Sequence, residues 1–132
     1  MLGSEWFAGH PLAPLEQTKF VLAADGAGYN DTTFVLALGY GRLDHVEPFD
    51  LVAKATGLKM MENPVPKADF YAGSDNFPFA RRGIPAVDLS PGFTAFNAEI
   101  TKYYHQPADE VGHAGEQFAD GAVFADAVAH LE

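Results

Sequence analysis

Three places in the sequence hold side chains whose type and spacing could do chemistry. Asp25 closes the apolar run Lys19-Phe-Val-Leu-Ala-Ala24 and precedes Gly26-Ala-Gly28. A carboxylate in that position is either a turn or helix-cap acceptor or, held by a rigid strand end, a metal ligand. The glycines make no nucleotide-binding fingerprint, since the third glycine and a following Gly-Lys-Ser/Thr are both missing. His105 stands in Tyr103-Tyr-His-Gln-Pro-Ala-Asp109. Its imidazole is either a surface group or a donor for a borderline metal such as zinc, with Asp109 placed to orient the ring. Tyr104 is either packed aromatic surface or a hydrogen-bond donor to a developing oxyanion. The third place is Ser74-Asp75-Asn76, where Ser74 or Asp75 as N-cap of a short helix is the default reading. Phe77, which follows, reads as core or pocket lining.

Several chemistries are excluded. Cysteine is absent, which removes disulfides, thiolate metal sites and cysteine nucleophiles. Ser4, Ser74 and Ser90 are the only serines and none lies in a Gly-x-Ser-x-Gly elbow, which argues against a serine hydrolase. His10, His45, His113 and His130 share no ligand spacing, and Asp25 to Asp31 does not fit a calcium loop. Acidic residues number 18 against 8 basic ones, a net charge of −10. That balance argues against nucleic acid or an anionic membrane surface as partner, because both require a positive footprint. No run approaches the roughly 18 apolar residues of a membrane span. No basic region followed by an apolar run opens the chain, so no signal peptide is read and the compartment stays open.

The elements that must position these residues follow from periodicity. Residues 3–10 predict a short helix with Ser4 as N-cap, ended by Pro11 and Pro14. Residues 19–24 and 33–38 are apolar without alternation, as expected of strands buried on both faces in a parallel sheet. Pro48 suits a first helical turn, and Phe49, Val52, Ala53 and Thr56 follow at helical spacing before Gly57. Residues 58–61 predict a short strand, 63–66 a loop, 75–82 a short helix closed by Gly83, and 85–89 another strand. Residues 90–109 show little periodicity and read as a long functional loop. A last helix is expected from Glu116, burying Phe118, Ala122, Ala125 and Ala129. Strands alternating with helices indicate an α/β fold, a partial mixed or parallel sheet flanked by helices. In such sheets working residues gather at the carboxyl ends of strands, so Asp25 and the long loop should share one edge. At 132 residues the chain is one domain's worth of protein.

Four stretches, in order, resemble the C-terminal half of the co-catalytic zinc aminopeptidases, a metallopeptidase family with an α/β fold. Leu2-Gly-Ser-Glu-Trp-Phe7 is similar to the Gly-Ser-x-x-Tyr/Phe that follows the family's Glu-Glu motif. Val21-Leu-Ala-Ala-Asp25 is similar to its Asn-x-Asp strand end. Gly73-Ser-Asp-Asn-Phe-Pro-Phe-Ala80, leading to Gly83-Ile-Pro-Ala86, resembles Ser-Asp-His-x-x-Phe followed by Gly-Ile/Val-Pro-Ala. Tyr104-His-Gln-Pro-Ala-Asp-Glu110 resembles Tyr-His-Gln/Thr-Pro-x-Asp. The resemblance implies Asp25 as terminal ligand of one zinc, His105 as terminal ligand of the other, and Tyr104 as the group polarising the scissile carbonyl. It puts Ser74, Asp75, Asn76 and Phe77 at the substrate pocket, with Asn76 replacing the common histidine and Gly73 the arginine of some members. The chemistry implied is release of N-terminal amino acids from peptides by a zinc-activated water that a glutamate deprotonates.

The family's first His-x-Asp, its bridging aspartate and its Glu-Glu pair all precede the segment that matches Gly3-Ser4. The resemblance therefore predicts a truncated C-terminal part that neither binds zinc tightly nor hydrolyses peptides alone, with two zinc ions and a peptide substrate belonging to the full-length protein. Two other readings use the same fold: a degenerate binding or interaction domain, to which Asn76 in place of histidine points, and a glutaminyl cyclase-like acyl transfer. A truncated sheet is also expected to self-associate through edges and apolar faces near residues 21–24 and 34–38.

Overall fold

In a computed structural model, which describes residues 1–25, 31–65, 67–95 and 97–110, four strands form one mixed sheet. Helix α1 spans Leu2–Gly9, strand β1 Val21–Ala24, strand β2 Asp31–Leu38, helix α2 Glu47–Thr56 and strand β3 Lys59–Met61. Helices α3 (Phe70–Gly73) and α4 (Phe77–Ala80), strand β4 (Ala86–Gly92) and helix α5 (Ala98–Tyr103) complete the described α-helices and strands. The strand order is β1-β4-β2-β3, with β1 parallel to β4, β3 parallel to β2, and β2 antiparallel to β4.

The unbroken apolar run of β2 is accounted for by its interior position, where both faces are covered. Phe34, Val35, Leu36, Ala37 and Leu38 are all buried. Val35 and Ala37 pack with Val87, Leu89, Phe49, Val52 and Leu58 on the face that α2 covers. Phe34, Leu36 and Leu38 meet Phe70, Tyr71 and Phe93 on the other. Each fully buried Leu or Val here contributes about 1.5–3 kcal/mol of transfer free energy. Nearer β1, Ala86 packs with Ala8, Phe79 and Ile84, and Val21 lies against that cluster.

Local signals place several boundaries. Pro48 lies in the first turn of α2, and Gly57 ends it with a left-handed φ of 75°. Close approach fixes Gly92: a Cβ there would sit 2.5 Å from the Phe34 carbonyl oxygen and 2.7 Å from its ring. The β2–β4 register shifts between Asp31 and Val35, beside Pro91, which has no N–H to give the ladder.

Five expectations change. The strand at 33–38 is not one of a parallel run, because its neighbour β4 runs antiparallel; local sequence carries burial but not strand direction. Strand β1 is an edge strand among the described residues, half-buried rather than covered on both faces. Among the described residues, 34–38 are buried and belong to an interior strand, paired to β4 on one side and, at Phe34 to Leu36, to β3 on the other. The N-cap of α1 is Met1, while the Ser4 hydroxyl reaches Asp75 at 2.7 Å and the Met1 carbonyl at 2.9 Å. Finally, 90–109 is not one loop: β4 continues to Gly92, and α5 begins after Asn97, whose Oδ1 accepts from the Ile100 N–H at 2.9 Å. The helix expected from Glu116 lies outside the described residues.

Candidate metal centre and its surroundings

Because β1 and β4 are parallel and adjacent, their carboxyl ends open at the same end of the sheet. Val21 pairs with Ala86 and Ala24 with Leu89, and the Asp25 N–H then donates to the Leu89 carbonyl at 2.9 Å. That bond continues the ladder by one residue and fixes the backbone that carries the carboxylate, which is exposed. Side chains alternate along a strand, so Ala23, Asp25, Asp88 and Ser90 share one face.

The segment leaving β4 returns to this end through α5. Tyr103 is buried, and the Tyr104 N–H closes the helix on the Ile100 carbonyl at 2.8 Å. Tyr104 is 48% exposed, yet partial desolvation and then the charge of Asp25 raise the pKa of its phenol. That coupling brings the tyrosine of one motif into the field of the aspartate of another. His105 follows with a φ of 56°, the single positive φ outside glycine among the described residues. A histidine in this region stores backbone strain, which a fold retains where the surroundings over-determine the residue. Its ring meets that of Tyr104 edge-on, with centroids 4.3 Å apart. Asp109 is exposed, and its N–H donates to the Gln106 carbonyl at 3.0 Å; no hydrogen bond joins it to His105.

The Ser74–Phe77 stretch is not the opening of a helix over 75–82. Ser74 ends α3, which is capped by Asp69 through the Ala72 N–H at 3.1 Å, and α4 starts only at Phe77 without a side-chain cap. Neither Ser74 nor Asp75 is an N-cap, because the turn between the two helices spends these residues on other partners. The Ser74 hydroxyl lies 2.7 Å from the Phe70 carbonyl. Asp75 is exposed, and its carboxyl is held below the usual range by the Ser4 hydroxyl and then by the chain's amino group, 3.1 Å away. Asn76 is fully buried. Phe77 is half-buried, edge-on to Tyr71 at 5.7 Å and under the Arg81 guanidinium at 5.5 Å.

Neither motif nor spacing in the sequence singles out Asp88. It sits in the middle of β4 with 1% exposure, paired in register with Ala23, and its Oδ1 has no hydrogen-bond partner among the described residues. Burial first, and then the charge of Asp25, push its pKa up to about 7; a bond from Ser74 opposes the rise and Asp75 adds to it. The Ser74 hydroxyl has one proton and also faces the Phe70 carbonyl, so it serves only one of the two acceptors at a time. The available signal was a lone carboxylate within Pro85-Ala-Val-Asp-Leu89, between the apolar Val87 and Leu89, which are both buried.

Asp25 and His105 are donors of the type that zinc accepts. Among the described residues, however, no three His, Asp or Glu side chains form a group able to hold a metal ion. The described residues alone therefore do not make a metal site.

Comparison with known proteins bears on the same segments. No curated protein matches the chain. A solved structure does: BSAP, a zinc aminopeptidase from Bacillus subtilis, is 19% identical with a TM-score of 0.62. The match covers 96% of this chain and 32% of that one, so the chain spans about a third of the length of its structural relative. At that identity the likeness establishes the fold, a zinc-aminopeptidase-like α/β arrangement. The model of Peptidase family M28 matches residues 1–128 and so takes in Asp25, the Ser74–Asn76 turn and His105 together. The chain belongs to peptidase family M28, a family of metallopeptidases.

Proposed function

We propose that this chain contributes one end of the active site of an aminopeptidase, an enzyme that removes N-terminal amino acids from peptides. The observation that carries the reading is the shared sheet end. Asp25 leaves β1 and the Tyr104-His105 segment returns from β4 at the same end, where the Tyr104 phenol feels the Asp25 charge. In this reading Asp25 and His105 serve as donors to two different zinc ions, and the remaining donors and the general base come from outside the described residues. Tyr104 supplies a phenol hydrogen bond to the carbonyl oxygen under attack, and its raised pKa keeps that proton in place at neutral pH. Asp109 orients the His105 ring once the imidazole is engaged. Ser74, Asp75, Asn76 and Phe77 border the pocket for the substrate's first residue.

The 132 residues alone neither hold two zinc ions tightly nor turn over peptide, since one donor per ion is too few. The β1 edge, with exposed Leu2, Trp6 and Leu12 on and beside α1, supports self-association of the isolated chain. Zinc calorimetry, alongside release of 4-nitroaniline from aminoacyl 4-nitroanilides, tests the reading. The isolated chain is expected to show neither two tight sites nor dye release. A chain carrying the remaining donors is expected to show both, and to lose dye release on Asp25→Ala or His105→Ala. Hydrolysis that survives both substitutions refutes the ligand roles. Light scattering checks the last point, and a monomer at all concentrations counts against self-association.

A further inference from the structure

Two buried side chains have polar atoms that nothing among the described residues satisfies. Asn76 is 0% exposed, and neither its Oδ1 nor its Nδ2 has a hydrogen-bond partner among the described residues; the same holds for Asp88 Oδ1. Native interiors leave few such atoms unmet, and each one calls for a partner. All three lie on the side of the sheet that α3 and α4 cover. Helix α3 sets Phe70 and Tyr71 against Phe34, Leu36 and Leu38, while α4 sets Phe79 against Ala86 on the same face of the sheet. The turn that joins the two helices therefore crosses β4 above Asp88, and Ser74 and Asp75 of that turn are groups whose presence Asp88 feels.

The atom types select the occupant. Asn76 Nδ2 is a donor and requires an acceptor, whereas Asn76 Oδ1 is an acceptor and requires a donor. A metal cation meets acceptors only and would leave Nδ2 stranded. An apolar group meets neither. Water donates and accepts, and it is the usual partner of isolated polar groups inside proteins. We propose that Asn76 and Asp88 share an internal water site beneath the Ser74–Asn76 turn. Water there accepts from Asn76 Nδ2 and hydrogen-bonds Asp88 Oδ1, and so links the turn bearing Asp75 to the strand beside Asp25. The site shares Asn76 with the proposed substrate pocket but requires no zinc, since its polar atoms belong to Asn76 and Asp88.

Two measurements on the wild-type chain decide the matter. Oxygen-17 relaxation dispersion is expected to count at least one long-lived internal water. A crystal soaked in thallium(I) acetate is expected to show an ordered water within hydrogen-bonding distance of both Asn76 Nδ2 and Asp88 Oδ1, with no anomalous peak there. A thallium peak at that position, a direct Asn76–Asp88 hydrogen bond with no water, or a dispersion curve without a long-lived water each overturns the proposal. Asn76→Leu should remove one long-lived water, and an unchanged count overturns it too. Asp88→Asn, which keeps the shape and a carbonyl acceptor, should retain the water whether or not the leucine variant folds.

Discussion

Replacing Asp88 by asparagine should stabilise the protein, and by an amount that grows with pH. The carboxyl is 1% exposed, and its pKa rises from 3.8 to about 7 on folding. Between those values the folded state holds a proton that the unfolded chain has released, so stability falls as pH rises through the window and levels off above it. One pKa unit corresponds to about 1.36 kcal/mol, which makes the full penalty about 4 kcal/mol at alkaline pH. Asparagine keeps the shape and carries no charge. Its advantage over wild type should be about 2 kcal/mol near pH 5.5 and about 4 kcal/mol near pH 8.5. The series starts at about pH 5.5 because at the pI of about 4.7 the chain has no net charge to oppose aggregation. Urea unfolding of both proteins, read as the difference in midpoint at a common slope, measures it. A difference that is flat with pH, or a wild type that gains on the variant as pH rises, would refute the reasoning. Either result would mean that Asp88 is ionised and satisfied in the fold.

Other perturbations follow from the same structure. Leu36→Ala removes a side chain with 0% exposure from the interior strand and should cost about 2–5 kcal/mol in urea unfolding. Leu51→Ala, at 68% exposure, should stay within about 0.5 kcal/mol of wild type. Gly92→Ala forces a methyl group against the Phe34 carbonyl and ring, and should lower stability by about 1–3 kcal/mol. Asp25→Asn should lower the pKa of Tyr104 by removing the adjacent negative charge, seen in the phenol's ultraviolet or NMR titration. An unchanged Tyr104 titration would separate the two residues that the proposed site joins.

What could be read from the sequence, and what could not, divides along the range of the interactions. Helix α2 was legible because Pro48 and Gly57 act on their own backbone, and β2 because five consecutive apolar residues fit no exposed element. The position of Asp25 at a strand end was legible for the same local reason. Strand order was not, since the antiparallel contact of β2 with β4 depends on chain segments far apart in sequence. Helix α5 went unread although Asn97 caps it, because its six residues are too few to establish a period. Asp88 escaped because its burial is decided by a turn, at Ser74–Asn76, that crosses it in space.

The pairing of β1 also bears on the order in which the molecule assembles. Residue 21 finds its partner at residue 86, and among the described strands β1 has no other neighbour. Closing so long a loop gains only four paired positions, so β1 docks after β2, β3 and β4 have formed a platform. With one neighbour where β2 has two, its amides should exchange with solvent hydrogen before those of β2. The backbone that presents Asp25 thus joins the sheet through its most distant contact in sequence and opens more readily than the interior strand.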